Sequence, residues 1–177
     1  MILRIFLFEV RYWLAQPMVY IFFFLLALMC GAAVAVDNIQ IGGSIGSVYR
    51  NAPEVIYNFS GFMSFLGLLM VTAFVNGTAI RDFENNTQQI AFSTPIKKHQ
   101  YLIGKFLGST FIALIPMLGI NIGIIVGSWW PTIDPVRLGP TLLGAHLSAF
   151  TLITLPNVLF TSAVIFAVAI LLRSSIA

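Results

Sequence analysis

The chain has 177 residues, of which 59% are hydrophobic and only 8% are charged, and its formal net charge is +3. Soluble domains have roughly 45–50% apolar and about 25% charged residues, so this composition excludes a water-soluble protein and indicates an integral membrane protein. The single cysteine, Cys30, excludes an internal disulfide and a cysteine-built metal site. We therefore predict an all-α, polytopic helical membrane protein.

The N-terminal segment, residues 1–16, has the pattern of a short amphipathic helix. Arg4 and Arg11 are seven residues apart, so they share one face of a helix. We predict that this helix lies in the cytosolic interface, where arginine side chains reach lipid phosphates. The alternative is that the segment is the polar end of the first membrane span.

Four apolar stretches are long enough to cross a hydrocarbon core of about 30 Å. We predict spans at about residues 17–36, 55–80, 101–130 and 157–172 of a single transmembrane domain, residues 1–177. The polar segments 37–54 and 131–140 are then exofacial loops.

The central polar segment, residues 81–100, is predicted to be a cytosolic loop between the second and third spans. Asp82 can cap a short helix over residues 83–92. Pro95 disfavours helix at Thr94, so that helix ends there. Thr94 can then cap the next helix, with Pro95 in its first turn.

Basic residues lie on both sides of the predicted start of the third span. Lys97 and Lys98 are expected at the membrane surface, and Lys105 is expected to extend its side chain back to the cytosolic face. Pro116 is expected to kink this span.

The last apolar stretch is longer than one span requires, and Pro156-Asn157 divides it. We predict that residues 142–155 form an exofacial interfacial or re-entrant segment before the fourth span. One tilted and kinked helix is the alternative.

The distribution of basic residues predicts the orientation. The proposed cytosolic segments hold seven basic residues, and the exofacial segments hold only Arg50 and Arg137. This asymmetry agrees with the positive-inside rule and places both termini in the cytosol. The seven cytosolic residues are Arg4, Arg11, Arg81, Lys97, Lys98, Lys105 and Arg173.

The sequence contains no pattern typical of a catalytic or metal centre. There is no phosphate-binding glycine loop of the G-x-x-x-x-G-K-[ST] type and no H-E-x-x-H zinc motif. His99 and His146 lie on opposite sides of the membrane in the predicted topology, so they cannot share a metal. No acidic residue lies within a predicted span. We therefore expect no catalytic residues, cofactor or metal in this chain, and any uphill transport needs energy from another polypeptide.

Three short motifs resemble the membrane subunits of type-2 ABC transporters, the ABC-2 permeases. They are Glu84-Asn85-Asn86-Thr87, Ser93-Thr94-Pro95-Ile96 and Tyr101-Leu102-Ile103-Gly104-Lys105. An Arg/Glu cluster after the second span, here with Arg81, Asp82 and Glu84, belongs to the same pattern. Further motifs resemble a bacterial branch whose long permeases often carry an M1-type aminopeptidase domain: Phe8-Glu9-Val10-Arg11-Tyr12, Arg50-Asn51-Ala52-Pro53 and Leu155-Pro156-Asn157.

The resemblance implies that the central loop forms a coupling helix that docks on a separate ABC ATP-binding subunit, where ATP and Mg would bind. It also implies a second permease half or a homodimer partner, a bacterial cytoplasmic membrane, and no nucleic-acid partner. The family core has six spans, so we expect this four-span chain to be part of a longer permease; peptidase activity is not implied. The expected docking residues are Arg81, Asp82, Phe83, Glu84, Thr87, Gln88, Ile90, Thr94, Pro95, Lys97 and Lys98.

Two functions from different classes remain at this point. The first is a permease subunit of an ABC transporter, and its uncharged spans favour an apolar, amphipathic or lipid-linked cargo. The second is a non-transporting membrane anchor or scaffold for a partner such as a peptidase. A channel lacks support, because no span shows a charged ring or a filter-like motif.

Overall fold

The regular structure of this protein is helical wherever the computed structural model describes it, namely at residues 1–35, 49–85, 97–131, 133 and 135–172. This confirms the all-α prediction. The helices are α1 (Ile2–Leu14), α2 (Pro17–Ala35), α3 (Pro53–Glu84), α4 (Lys98–Ser128), α5 (Leu143–Ala149) and α6 (Leu155–Leu172), with a 3₁₀ turn at Pro135–Arg137.

Four helical segments of the described chain are long and apolar enough to cross a membrane, which confirms the polytopic class. They are Pro17–Ala35, Pro53–Glu84, Lys98–Ser128 and Leu143–Leu172. With 32 residues, α3 has a length of about 48 Å, which exceeds a hydrocarbon core of about 30 Å. The longest helices therefore extend polar ends past the apolar region.

The end of α3 corrects one sequence-based prediction. We expected the second span to stop at residue 80 and Asp82 to cap a new helix, but α3 continues through Glu84. Asp82 therefore lies inside α3 and not at the start of a new helix. The physical reason is that Arg81 and Asp82 both find charged partners within the protein, so the helix does not need to end where its polar residues begin. Most of the helix predicted over residues 83–92 lies outside the described residues.

The last helical run follows the second of the two alternatives considered for it. The π-helical turn Phe150–Thr154 joins α5 to α6 without an interruption of the helical backbone. A proline removes one backbone hydrogen bond and crowds the carbonyl four residues earlier. A wide π-helical turn that ends two residues before Pro156 accommodates that crowding, so the chain passes the proline as one irregular helix.

The contacts group the chain into two compact units. Unit 1 comprises Met1–Val19, Leu68–Leu114 and Val158–Ala177, and unit 2 comprises Tyr20–Gly67 and Ile115–Asn157.

In unit 1, α1 packs closely on α4 because α4 has glycines at the contact. A Cβ atom added to Gly108 would lie 2.7 Å from Glu9 Cβ, and one added to Gly104 would lie 2.8 Å from Ile5 Cβ. Aromatic side chains complete this core, with the rings of Trp13 and Phe74 in edge-to-face contact at 5.1 Å. The N-terminal helix is therefore an integral part of unit 1.

In unit 2, α2 and α4 approach each other along a row of small residues. A Cβ atom on Gly119 would lie 2.5 Å from the carbonyl oxygen of Phe23, and one on Gly127 would lie 2.6 Å from that of Gly31. Small residues at four-residue spacing allow helix backbones to come this close in membrane proteins. Any larger side chain at these glycines would have to separate the two helices.

Candidate functional site

Four charged side chains of unit 1 come together where α1 meets the end of α3 and the first part of α4. We call Glu9, Arg81, Asp82 and Lys105 the charge cluster. Their side chains are 1%, 13%, 19% and 3% exposed, respectively, so the cluster is largely shielded from solvent. Buried charges are costly unless they are paired, and each member has an oppositely charged partner.

The first ion pair joins α1 to α3. Arg81 Nη2 donates to Glu9 Oε1 over 2.6 Å, and the guanidinium lies 4.1 Å from the centre of the Tyr12 ring. A cation above an aromatic face gains electrostatic stabilisation, which adds to that of the ion pair. Glu9 Oε2 and Arg81 Nη1 are buried and have no hydrogen-bond partner among the described residues.

Burial dominates the titration of Glu9. Removal from water raises the pKa of this carboxyl above its ordinary value, and the attraction of Arg81 and Lys105 offsets that rise only in part. Arg81 therefore favours the charged form of Glu9, whereas burial favours the uncharged form.

The second ion pair joins α3 to α4 and corrects another prediction. Lys105 Nζ donates to Asp82 Oδ2 over 2.7 Å and to the Thr78 carbonyl oxygen over 3.0 Å. The hydroxyl of Tyr101 donates to the same Asp82 oxygen. Lys105 is therefore directed into the protein, and it does not extend to the surface as expected. The reason is that Asp82, one helix away, offers a fixed anionic partner.

Trp13 connects the remaining part of α1 to the same region. Its Nε1 donates to Thr78 Oγ1 over 2.7 Å, and a Cβ atom on Gly77 would lie 3.3 Å from its ring. Thr78 thus accepts from α1 through its hydroxyl and from Lys105 through its carbonyl. Thr78 of α3 is therefore hydrogen-bonded both to α1 and to α4.

The predicted docking residues fall into three groups. Arg81 and Asp82 are engaged in the charge cluster, and Phe83 is half-buried. Glu84, Lys97 and Lys98 are exposed. The other predicted residues lie outside the described part of the chain: Thr87, Gln88, Ile90, Thr94 and Pro95.

Five residues of this site are not among the docking residues predicted from the sequence: Glu9, Trp13, Thr78, Tyr101 and Lys105. One signal was available, because Glu9 is the only acidic residue in an otherwise apolar and basic N-terminal segment. The sequence does not indicate which residue pairs with Glu9, because Arg81 lies 72 residues away.

The described residues contain no group of three or more His, Cys, Asp or Glu side chains that could hold a metal ion. The cluster also mixes both signs of charge in paired contacts, which suits a structural junction between helices.

These features define the class of protein: a multi-pass α-helical membrane protein whose buried charges join the helices beside the central polar segment. The model of the ABC-2 family transporter protein matches residues 44–176, and the chain belongs to that family. It is thus a membrane permease component of the ABC transporter type. No curated protein and no solved structure gives a significant match to this chain.

Proposed function

We propose that this chain is the permease subunit of an ABC transporter that moves its substrate across a bacterial cytoplasmic membrane with energy from ATP hydrolysis. ATP and Mg bind to a separate ATP-binding subunit, and a second permease half or a second copy completes the transporter. The observation that supports this most is membership of the ABC-2 family over most of the chain, together with four membrane-length helices.

The partner docks, in this proposal, on the central segment between α3 and α4, on the cytosolic side where both termini also lie. Exposed charges at the described ends of the segment support this, because Glu84, Lys97 and Lys98 are available to a soluble partner. Exposed charged residues at the edge of an interface influence the specificity and the rate of protein association.

In the same proposal, the charge cluster holds the docking segment in place and does not contact the partner. Arg81 and Asp82 face partners within the protein, so they act by fixing the ends of the docking segment to α1 and α4. Displacement of the segment by the partner then moves these helices with it. A contact that locks two elements together transmits motion more directly than a flexible linker would.

A charge reversal tests the docking proposal. We expect Glu84→Lys to weaken binding of the ATP-binding subunit by about tenfold or more, because like charges at a complementary interface are strongly unfavourable. The amount of protein in the membrane should stay unchanged, since Glu84 is exposed. Co-purification with an ABC-type ATPase and the stimulation of its ATP hydrolysis are the measurements.

The matched control is Glu54→Lys, the same substitution at an exposed residue in the first turn of α3. It should leave partner binding and ATPase stimulation unchanged. Equal binding by both variants would contradict docking at Glu84. A bound ATPase whose hydrolysis does not respond to this chain would instead favour the passive anchor.

A further inference from the structure

Unit 2 contains buried polar side chains whose hydrogen-bonding capacity is not used within the described chain. Ser60, Ser64, Asn121 and Thr154 are 0%, 2%, 8% and 0% exposed. Ser60 Oγ, Ser64 Oγ, Asn121 Nδ2 and Thr154 Oγ1 have no hydrogen-bond partner among the described residues. We call these four residues the polar seam.

Other hydroxyls of the same unit show what a serine or threonine in a membrane helix ordinarily does. Ser128 Oγ donates to the Ile124 carbonyl over 2.7 Å, and Thr151 Oγ1 donates to the Leu147 carbonyl over 2.9 Å. Such bonds to the preceding turn satisfy the hydroxyl within its own helix. The seam hydroxyls of Ser60, Ser64 and Thr154 do not make them.

Two hydrogen bonds place Asn121, one of the four residues of the polar seam, at a junction of three helical segments. Tyr57 of α3 bonds to Ser148 of α5 over 2.6 Å, and His146 Nδ1 of α5 bonds to Asn121 Oδ1 of α4 over 3.0 Å. His146 and Ser148 are two residues apart, about 3 Å along the helix, so both bonds lie at nearly the same level. The unused Asn121 amide is therefore at the junction itself.

The α3 hydroxyls lie next to this junction along their helix. Ser64 follows Tyr57 by seven residues, which returns it to nearly the same face of α3 about 10 Å farther along. Ser60 lies between them, three residues after Tyr57. The side of α3 that bonds to α5 therefore carries two buried hydroxyls without partners.

We propose that the polar seam is a binding site for an uncharged hydrogen-bonding group inside unit 2. Its three hydroxyls can each donate and accept, and the free Asn121 amide donates. The buried polar residues of the described part of unit 2 include no Asp, Glu, Lys or Arg, so the site offers no formal charge to an ionic ligand. Hydroxyl or amide groups fit this chemistry, and they have two sources: enclosed water and the polar part of a transported molecule.

Cysteine reactivity tests the proposal in the full chain, with Cys30→Ala as background. Ser64→Cys replaces a seam hydroxyl by a thiol, and methyl methanethiosulfonate is small, neutral and able to cross the bilayer. Only the thiolate reacts, and ionisation needs a polar surrounding, so we expect Ser64→Cys to react at least about tenfold faster than a cysteine in an apolar surrounding. Ser60→Cys is a second reporter for the case in which the first variant does not fold.

Met63→Cys is the matched control, because Met63 adjoins Ser64 on α3 and is 0% exposed. The two positions are matched in burial, because Ser64 is 2% and Met63 is 0% exposed. Reaction of Ser64→Cys and Ser60→Cys as slowly as Met63→Cys would overturn the proposal. Equally fast reaction at all three positions would overturn it as well. The polar surrounding would then extend to Met63 and would not be specific to the polar seam.

The two sources are distinguished by where the reaction is measured. In vesicles of synthetic phosphatidylcholine only water can fill the seam, and the seam cysteines should react fast. In membranes of the producing cells, an equal rate identifies water as the occupant, and a slower rate identifies a cellular molecule that shields the seam. The reaction needs no ATP and no partner subunit, so its failure is distinct from failure of the proposed transport function.

Discussion

The two side chains of the Glu9–Arg81 ion pair differ in burial and in the number of their partners. The Glu9 side chain is 1% exposed and that of Arg81 is 13% exposed. Arg81 also keeps the ring of Tyr12 as a second partner. Loss of the carboxylate therefore leaves the cation partly compensated, whereas loss of the guanidinium leaves a buried anion without its main partner.

We expect Arg81→Met to destabilise the protein by about 3–5 kcal/mol, the usual cost of leaving one charge of a buried pair alone. Glu9→Gln should cost little or nothing, because burial favours an uncharged side chain at this position, and the double variant Glu9→Gln/Arg81→Met should recover part of the loss caused by Arg81→Met. The measurement is thermal unfolding in detergent, with the exposed Arg4→Met as control. Equal losses for the two single variants would contradict the asymmetry.

The pH dependence gives an independent check of the same pair. Because burial raises the pKa of Glu9 above its ordinary 4.5, the folded protein binds this proton more tightly than the unfolded chain does. The stabilisation from this proton is fully present below pH 4.5 and is lost as the pH rises through the folded-state pKa. Glu9→Gln should remove that loss and flatten the dependence of stability on pH above 4.5.

Single residues were the hardest feature to predict from sequence. The prediction that the Lys105 side chain extends to the cytosolic face is wrong. The side chain points to Asp82, which lies on another helix and 23 residues away in the sequence. The docking roles of Glu84, Lys97 and Lys98 stay predictions.

Helix packing in unit 2 depends on the glycines of α4. Gly119 and Gly61 both lie inside long helices, but only Gly119 faces a neighbouring backbone. A Cβ atom on Gly61 meets nothing within 4 Å. The two positions therefore separate close packing from intrinsic helix propensity.

We expect Gly119→Ala to destabilise the protein by about 1–3 kcal/mol, because the added methyl forces α2 and α4 apart. Gly61→Ala should be neutral or stabilising by about 0.5–1 kcal/mol, since alanine favours a helix more than glycine does. The midpoint of thermal unfolding compares the two. A larger loss for Gly61→Ala would contradict the assigned contact.

At the scale of elements, the hydrophobic pattern located the helices well but not their ends. The span predicted over residues 55–80 lies within α3, which runs from Pro53 to Glu84. The pattern failed at the ends because helices continue past the apolar region when their polar side chains have partners. It also left two alternatives for Leu143–Leu172, and the π-helical turn at Phe150–Thr154 shows a continuous helix.

The distribution of basic residues predicts the orientation of the whole molecule, and labelling tests that prediction. Seven of nine lysines and arginines lie in the segments that we assign to the cytosol. In a Cys30→Ala background, Glu84→Cys should be protected from a membrane-impermeant thiol reagent in intact cells. Glu54→Cys, at the other end of the same helix, should be labelled. The positive-inside rule is the physical reason for this expectation.

Cell lysis provides the control for this labelling, because Glu84→Cys should then react as well as Glu54→Cys. Labelling of Glu84→Cys in intact cells would place the docking segment outside and contradict the proposed coupling. Met63→Cys should stay unlabelled under both conditions, since its side chain is buried.

The amino-acid sequence alone determined the membrane class, the helical architecture and the resemblance to the ABC-2 family. Those properties depend on composition, on the length of apolar stretches and on short motifs, all of which are local along the chain. Only the tertiary structure decided that Arg81 pairs with Glu9 and that Lys105 turns inward to Asp82. The partners lie 72 and 23 residues apart, and a pairing at such distances depends on how separate helices pack.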